Sequence, residues 1–280
     1  MKRAFLCSCN EFADPGARLR GCVNDSKNIR DYLMRDWAWD PAAMRVLCDA
    51  RATDVEIYKR LEWCAQGWQT KPNPEEDTLF IGFSMHGSQV TDRNGDELLD
   101  DSLDEILCPF NFPDIWDDPL SDDKLAIYLK AIPEGVKTVV IADACHSGTM
   151  TRGVNPHYRR SKFVEPPFDI QARSLDRKLS PNRFGSKSNT RDIGNVHIDD
   201  TQRHIYISGC KDAQTSADAD IGGVPQGAMT WAFVNAAKQL RGATIRQIHA
   251  KMLQLLGASG FEQTPQLSGP TNLIDSVFSL

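Results

Sequence analysis

The chain has 280 residues, of which 41% are hydrophobic and 25% are charged, and its formal net charge is −6 at pH 7. This length and composition are typical of a globular protein that buries a sizeable core, whereas the acidic balance argues against a general nucleic-acid binder. No apolar run approaches the roughly 20 residues that a membrane-spanning helix needs, so we expect neither a nucleic-acid nor a membrane partner.

Apolar strands alternate with amphipathic helices along the chain. The predicted strands are 3–9, 44–48, 78–84, 136–143 and 204–209, and the predicted helices are about 24–35, 54–66, 121–130, 227–240 and 243–256. Asn24 or Asp25 could cap the first helix, and Thr53 could cap the second. This alternation predicts an α/β fold with a mostly parallel central sheet flanked by helices on both faces.

The eight cysteines include no C-x-x-C pair, so the sequence does not predict a structural zinc site. The N-terminal M-K-R-A-F-L-C-S-C-N has a very short apolar stretch and is typical of a first strand rather than of a signal peptide. Cysteines without an export signal are normally reduced thiols. We therefore expect a cytoplasmic protein.

Two stretches depart from the alternation. Residues 92–123 hold twelve acids, and Arg93 is their only base; a solvated loop and a region that attracts a divalent cation or a cationic substrate are both open interpretations. Residues 151–203 hold eleven bases against six acids and have no clear periodicity. Because so long an irregular connection is uncommon unless it is functional or mobile, we expect a mobile linker there.

Cysteine chemistry is predicted at one edge of the sheet. Cys145 follows the predicted strand 136–143, and His86 follows the predicted strand 78–84. The carboxyl ends of neighbouring parallel strands meet at one edge, and a thiol becomes a nucleophile when an imidazole takes its proton. His146 is adjacent to Cys145 in sequence, but a residue after a strand end is expected to point elsewhere, which favours His86 as the base.

An oxyanion hole is predicted beside this pair. The backbone N–H groups of Gly87 and Cys145 are both placed to face a developing oxyanion. Taken singly, a cysteine at a strand end is most often a packing residue, and a histidine before a glycine is often only a loop residue. The pair at two strand ends is the stronger indication, since caspases place the histidine about 50 residues before the cysteine.

Five motifs resemble the metacaspases, in the caspase-like clan of cysteine peptidases. They are R-G-C-V-N-D-S-K-N-I (20–29), S-M-H-G-S-Q (84–89), D-A-C-H-S-G (143–148), S-G-C-K-D-A-Q-T-S-A-D-A (208–219) and G-A-M-T-W-A-F (227–233). The resemblance implies a caspase-like fold, a monomeric cysteine endopeptidase and His86 with Cys145 as its catalytic dyad. It also implies one domain over 1–280, with a large-subunit-like part (1–150), the basic linker (151–203) and a small-subunit-like part (204–280).

The resemblance further implies cleavage of protein or peptide substrates after Arg or Lys. Asp25 belongs to a motif that helps line the S1 pocket in this family, and Cys22 and Ser84 match other pocket positions. Asp143 lies two residues before Cys145, so the two side chains can share a face. Two carboxylates favour a guanidinium or ammonium group. The alternative is that Asp25 only caps a helix and Asp143 only anchors a turn.

The resemblance implies one metal, calcium, as an activator that binds away from the catalytic residues. The cysteine chemistry itself requires no cofactor. Asp104, Asp122 and Asp123 match acidic positions of the family's calcium site, and a hard cation needs several such oxygens. The family's last ligand lies a few residues past the nucleophile, where residues 149–152 include no carboxylate. This departure argues against a complete calcium site.

The basic linker predicts a mode of activation. Its Arg and Lys residues suit the proposed pocket, so we expect the chain, or an upstream activating protease, to cut within 151–203 and free the active site. A passive insertion that covers the groove is the alternative. Two other functions remain open: a caspase-fold pseudoenzyme or signalling scaffold without proteolysis, and a metal-binding module built on the acids.

Overall fold

The computed structural model describes residues 1–91, 103–112, 114, 116, 118–145, 159–167, 190–193, 195–211 and 214–280. The strands are β1 (Lys2–Ser8), β2 (Met44–Cys48), β3 (Thr78–Ser84), β4 (His86–Thr91), β5 (Leu103–Cys108), β6 (Leu120–Ser121), β7 (Lys137–Asp143), β8 (Arg159–Ser161), β9 (Thr190–Ile193), β10 (Val196–Asp199), β11 (His204–Ser208), β12 (Ala217–Ile221), β13 (Val224–Gly227) and β14 (Gln266–Gly269). The α-helices are α1 (Cys22–Trp37), α2 (Asp54–Ala65), α3 (Asp122–Ala131), α4 (Ala228–Gln239), α5 (Ile245–Ala258) and α6 (Thr271–Ile274).

An eight-stranded sheet in the order β2-β1-β3-β7-β11-β14-β10-β9 forms the centre of the fold. Its first five strands are mutually parallel. β14 is antiparallel to β11, and β9 is antiparallel to β10. The pairing of β3 with β7 is the one on which the predicted site depends, because it brings the ends of these two strands side by side.

Alternating side chains divide the core between the two faces of this sheet. Ala4 and Leu6 of β1 belong to a cluster that includes α1, α4 and α5, whereas Phe5 and Cys7 belong to a cluster that includes α2 and α3. All seven residues of β3 are buried, as expected of a strand covered on both faces. The structure therefore confirms helices on both faces of a mostly parallel sheet.

Two three-stranded antiparallel sheets lie beside the central one. The first has the order β4-β5-β6, and β4 begins at His86, two residues after β3 ends. The second has the order β13-β12-β8 and pairs two strands of the C-terminal part with residues of the basic linker. Both small sheets border the carboxyl ends of β3 and β7 and so help to build the site.

The five predicted strands and five predicted helices are all present; the bounds of 44–48 and 78–84 are unchanged, and the others differ by one or two residues. Thr53 caps α2 as predicted, accepting a hydrogen bond from the Glu56 N–H. The predicted cap of α1 was wrong: α1 begins at Cys22 with Gly21 before it, which places Asp25 in its first turn. The described parts of 151–203 include β8, β9 and β10, strands that the lack of periodicity did not predict.

None of the helices in the described part of the chain combines the length and the apolar character that a membrane crossing requires.

Candidate active site

His86 and Cys145 are brought to one edge of the central sheet. β3 and β7 are parallel neighbours, and their last residues, Ser84 and Asp143, pair with each other. His86 follows Ser84 by two residues, and Cys145 follows Asp143 by two. His146, the alternative base, lies outside the described residues. The two candidate catalytic side chains therefore project from adjacent strand ends, as the sequence predicted.

The surroundings of His86 define its tautomer. Its Nε2 lies 2.6 Å from the carbonyl oxygen of Ala17, and since a carbonyl only accepts, Nε2 carries the proton. Nδ1 is buried and has no hydrogen-bond partner among the described residues. Burial lowers the pKa of His86 to about 4, although the carbonyls of Ala17 and Lys162 act in the opposite direction. The ring is thus neutral at pH 7, with a free lone pair on Nδ1.

Cys145 is fully buried. It forms hydrogen bonds with the backbone of Ser216, the residue that precedes β12. Its thiol donates a hydrogen bond to the Ser216 carbonyl at 3.3 Å, and the Ser216 N–H contacts the same sulfur. A hydrogen bond to Cys145, together with burial, raises the pKa of Cys210. A second thiol therefore lies against the first, and it stays protonated at neutral pH.

Both predicted oxyanion donors contact one carbonyl of the chain itself. The Gly87 N–H donates to the Lys162 carbonyl oxygen at 2.8 Å, and the Cys145 N–H approaches the same oxygen at 3.4 Å. Lys162 lies in the basic linker. Its carbonyl has the two contacts that the predicted oxyanion hole would make with the carbonyl of a scissile peptide bond.

The segment 159–164 passes through the site in an extended conformation. β8 pairs antiparallel with β12, so that Ser161 lies opposite Ala217. The Lys162 N–H donates to the Ser216 carbonyl at 3.1 Å. On the other side of the Lys162–Phe163 bond, the Val164 N–H donates to the Gly87 carbonyl at 3.0 Å. Backbone hydrogen bonds on both sides hold this bond in place beside Gly87 and Cys145.

The Lys162 side chain fills the pocket predicted as S1. Its ammonium nitrogen lies 3.0 Å from Asp143 Oδ1 and 3.3 Å from Asp25 Oδ2, and all three side chains are fully buried. It also donates to Ser84 Oγ at 2.9 Å, and Ser84 in turn donates to Asp25 at 2.7 Å. The fourth predicted pocket residue, Cys22, is buried and electrostatically coupled to Lys162. The four predicted residues therefore surround one cation.

The start of α4 holds the two carboxylates in position. The Gly227 N–H donates to Asp25 Oδ1 at 2.8 Å, while the backbone N–H and the hydroxyl of Thr230 donate to Asp143 Oδ2 at 2.9 and 2.8 Å. The first N–H groups of a helix have no partner within the helix and favour negative charge. Gly227 is also a wall of the pocket, because a Cβ there would lie 2.4 Å from the Lys162 ammonium and 2.5 Å or less from both carboxylates.

Electrostatics in the pocket favour a bound cation. Burial and the neighbouring Asp143 raise the pKa of Asp25 to about 7, which Lys162 partly offsets. Asp143 is equally buried, but the Lys162 ammonium and hydrogen bonds from Ser216 and Thr230 hold its pKa below the usual range. Burial opposes the charge on Lys162, and the carboxylates overcome that effect and raise its pKa. Asp143 and Lys162 form the principal ion pair.

The residues suggested for calcium lie elsewhere. Asp104 is on β5, whereas Asp122 and Asp123 are in the first turn of α3. Burial and the carboxylates of Glu105 and Asp123 raise the pKa of Asp122 to about 6. Within the described residues, no three His, Cys, Asp or Glu side chains are placed to hold a metal ion. Asp104, Asp122 and Asp123 alone do not fit a calcium site, and the segment 149–152 lies outside the described residues.

Several contributors to the site were not found from the sequence. Ala17 acts through a carbonyl and leaves no side-chain signal. Ser216 and Gly227 lie inside motifs noted for their resemblance, but nothing in their residue type reveals that they contact the thiol or the S1 carboxylates. Lys162 was one of eleven bases in the linker, and only the fold distinguishes it from the others.

The architecture is that of the caspases. A crystal structure of a protein from Geobacter sulfurreducens superposes on all of this chain and 98% of its own, with a TM-score of 0.66 and 22% sequence identity. Caspase-1 from Spodoptera frugiperda superposes on 98% of this chain and 90% of its own, with a TM-score of 0.59 and 12% identity. At these identities the likeness establishes the caspase-like α/β fold alone.

The family follows from the sequence comparisons. The family model "Metacaspase, peptidase C14 domain" matches residues 2–152. Metacaspase-1 of Yarrowia lipolytica is 32% identical over 97% of this chain, which spans 62% of that protein. Metacaspase-1 of Pyricularia oryzae is 32% identical over 95% of this chain, which spans 71% of it. The chain belongs to the metacaspases, a family of cysteine peptidases.

Proposed function

We propose that this chain is a cysteine endopeptidase that cleaves after Lys or Arg, and that its own Lys162–Phe163 bond is its first substrate. The observation that carries the proposal is the position of Lys162. Its ammonium is buried between Asp25 and Asp143, while its carbonyl contacts the N–H groups of Gly87 and Cys145. Side chain and scissile carbonyl thus occupy the two places that an S1 pocket and an oxyanion hole require.

His86 would act first as general base. The hydrogen bond from its Nε2–H to Ala17 orients the ring and leaves Nδ1 free to accept a proton. The thiol of Cys145 would give up its proton to Nδ1 as the sulfur attacks the carbonyl carbon of Lys162. Burial disfavours the imidazolium that forms, so stabilisation of the intermediate would come from the backbone donors that face the oxyanion.

The tetrahedral intermediate would be stabilised by the two backbone donors. As the C–S bond forms, the Lys162 carbonyl oxygen becomes negatively charged, and the hydrogen bonds from Gly87 and Cys145 shorten around it. When the C–N bond breaks, His86 returns its proton to the amine of Phe163. A water molecule, activated by the same imidazole, then hydrolyses the thioester and regenerates the thiol.

The preference for basic residues follows from charge. A buried lysine or arginine at the position of Lys162 gains the attraction of two carboxylates and donates a hydrogen bond to Ser84, whereas an acidic residue would add a third negative charge. Removing one partner of a buried ion pair costs about 3–5 kcal/mol. We therefore expect Lys and Arg peptides to be cleaved at least a hundred times faster than Asp or Gln peptides.

The segment 159–164 would restrain the enzyme until it is cut. While it lies in the groove, no external peptide can reach Asp143, Gly87 or Cys145. Cleavage after Lys162 removes the covalent link across the site and lets the segment be displaced. The steps above use only groups of the chain, and none is routed through calcium.

The test is hydrolysis of fluorogenic peptides that share Arg-Arg-Ser and differ in the last residue: Lys, Arg, Gln or Asp. The processed wild-type protein should cleave the Lys and Arg peptides, and Cys145→Ala should cleave none. Cys48→Ala, a substitution of the same kind at the end of β2, is the matched control and should retain activity. Absence of any hydrolysis by the wild type, even after processing, would instead indicate a caspase-fold scaffold without proteolysis.

A further inference from the structure

A second cation of the same segment is held in a site of its own. Arg159 lies three residues before Lys162, at the start of β8. The carbon of its guanidinium lies 4.2 Å from the centre of the Phe261 ring. One terminal nitrogen donates to the Gly260 carbonyl at 2.9 Å, and the other approaches the Ser259 carbonyl at 3.5 Å.

The residues that follow α5 build this site. Gly260 has a φ of +70°, and its N–H donates to the Gly257 carbonyl at 3.0 Å, while the Phe261 N–H donates to the Leu256 carbonyl at 2.9 Å. This pair of bonds is the Schellman termination of a helix, for which glycine in the left-handed conformation is favoured. The turn presents the Ser259 and Gly260 carbonyls outward at the negative end of the helix dipole.

The chemistry of the site selects a planar cation. Both carbonyls are acceptors, so a side chain without donors would leave them unpaired. The face of Phe261 attracts a cation, and a guanidinium stacks on a ring and donates from two nitrogens at once. Phe261 is 8% exposed and packs in the core, so its ring is held in place before the cation arrives.

We propose that Phe261, with the carbonyls of Ser259 and Gly260, is an S4 subsite for arginine. The proposal rests on the proposed function, in which Lys162 is the P1 residue. The pairing of Arg159 with Ala219 places the arginine at P4 along the edge of β12. The preferred protein substrates then carry arginine four residues before the cut, counted with the P1 lysine or arginine as the last. Selection by S1 alone does not predict this requirement.

The experiment compares two peptides, Ac-Arg-Arg-Ser-Lys and Ac-Ala-Arg-Ser-Lys, each with a fluorogenic leaving group. For the processed wild type, kcat/KM should be about tenfold higher with Arg at P4, the size expected of one cation–π contact with a charge-assisted hydrogen bond. Phe261→Leu should reduce that ratio to about threefold or less. Phe278→Leu removes a ring from the same core cluster, away from β8, and should leave the ratio at the wild-type value.

Equal rates for the two peptides, or an unchanged ratio in Phe261→Leu, would overturn the subsite. If neither peptide is cleaved, the proposed function fails, and a second measurement decides on the subsite alone. In full-length Cys145→Ala, trypsin cleavage after Lys162 should be several-fold faster with Arg159→Met or Phe261→Leu, and the double variant should be no faster than either. Equal protection in Cys145→Ala and in Cys145→Ala with Phe261→Leu would contradict the contact.

Discussion

Two regions of the molecule concentrate carboxylates, and they use them differently. In the S1 pocket, Asp25 and Asp143 are fully buried and face the ammonium of Lys162 and the first N–H groups of α4. In the region of β5 and α3, Asp122 is exposed to solvent and lies near Glu105 and Asp123; partial desolvation and these neighbours raise its pKa to about 6. The first region favours a cation, whereas the second disfavours the ionised form of its own acid.

The difference teaches that the number of acids in a stretch does not identify a site. Residues 92–123 hold twelve acids, yet the pocket that encloses a cation uses two acids from separate parts of the chain. What distinguishes the pocket is complementary structure: a helix N-terminus that donates to both carboxylates and a glycine wall that leaves room for the ammonium.

The largest effect is expected from Asp143→Asn. Loss of the principal partner of the P1 cation should cost about 3–5 kcal/mol, or roughly a hundred- to a thousandfold in kcat/KM for a Lys peptide. The ratio of the rates for the Lys and Gln peptides should fall in parallel. This ratio distinguishes a loss of P1 recognition from a loss of folded enzyme. Asp123→Asn, in the first turn of α3, is the control and should leave that ratio unchanged. A loss below tenfold in Asp143→Asn would contradict the assignment of the pocket.

A smaller loss is expected from Gly227→Ala. The new Cβ would lie 2.4 Å from the place of the P1 ammonium, and overpacking of this kind costs about 1–3 kcal/mol, or roughly ten- to a hundredfold in kcat/KM. Gly257→Ala on α5 meets nothing within 4 Å and should leave hydrolysis unchanged. If Gly227→Ala has the same kcat/KM as the wild type, P1 side chains do not lie against residue 227.

In the region of β5 and α3, replacing a carboxylate is expected to stabilise the protein rather than to impair it. Folded Asp122 retains its proton up to a pKa of about 6, against 3.8 in the unfolded chain, so its ionisation opposes folding as the pH rises through this interval. Because Asp122 is exposed to solvent, screening reduces this effect, so Asp122→Asn should raise the free energy of unfolding at pH 7 by only about 0.5–1 kcal/mol and by less at pH 4. Urea denaturation in the Cys145→Ala background measures this without self-cleavage.

A matched substitution tests whether the neighbouring carboxylates of Glu105 and Asp123 are the cause. Asp118 is 79% exposed and pairs with Lys124, so Asp118→Asn removes an attraction and should not raise the free energy of unfolding at either pH. If Asp122→Asn is less stable than its parent at pH 7, the second region relies on that charge, and the contrast between the two regions fails.

The sequence predicted the parts of the fold and site that depend on local pattern. The apolar run 78–84 and the strand before Cys145 formed parallel, adjacent strands, and this adjacency brought the segments that carry His86 and Cys145 to one edge of the sheet. The S1 residues were identified through motifs that resemble a family, and the structure brings all four around one cation.

The remaining parts depend on long-range contacts that leave no local signal. β8 is short and polar, and it is a strand only because the edge of β12 pairs with it. The orienting carbonyl of Ala17 and the wall at Gly227 act through backbone position, which residue type does not encode. Asp25 looked like a helix cap because acids are favoured at that point of a helix, but its partners are Ser84, Lys162 and Gly227 from distant segments.

The most direct test of self-cleavage is intact-protein mass spectrometry of freshly purified wild type over time. We expect two fragments, one ending at Lys162 and one beginning at Phe163, and none in Cys145→Ala. Lys162→Gln should keep this bond intact, whereas Arg160→Gln, an exposed change in the same strand, should still be cut. If the Lys162–Phe163 bond of the wild type survives under all conditions, or is cut equally in Cys145→Ala, the account is contradicted. The segment 159–164 would then block the groove without being a substrate of this enzyme.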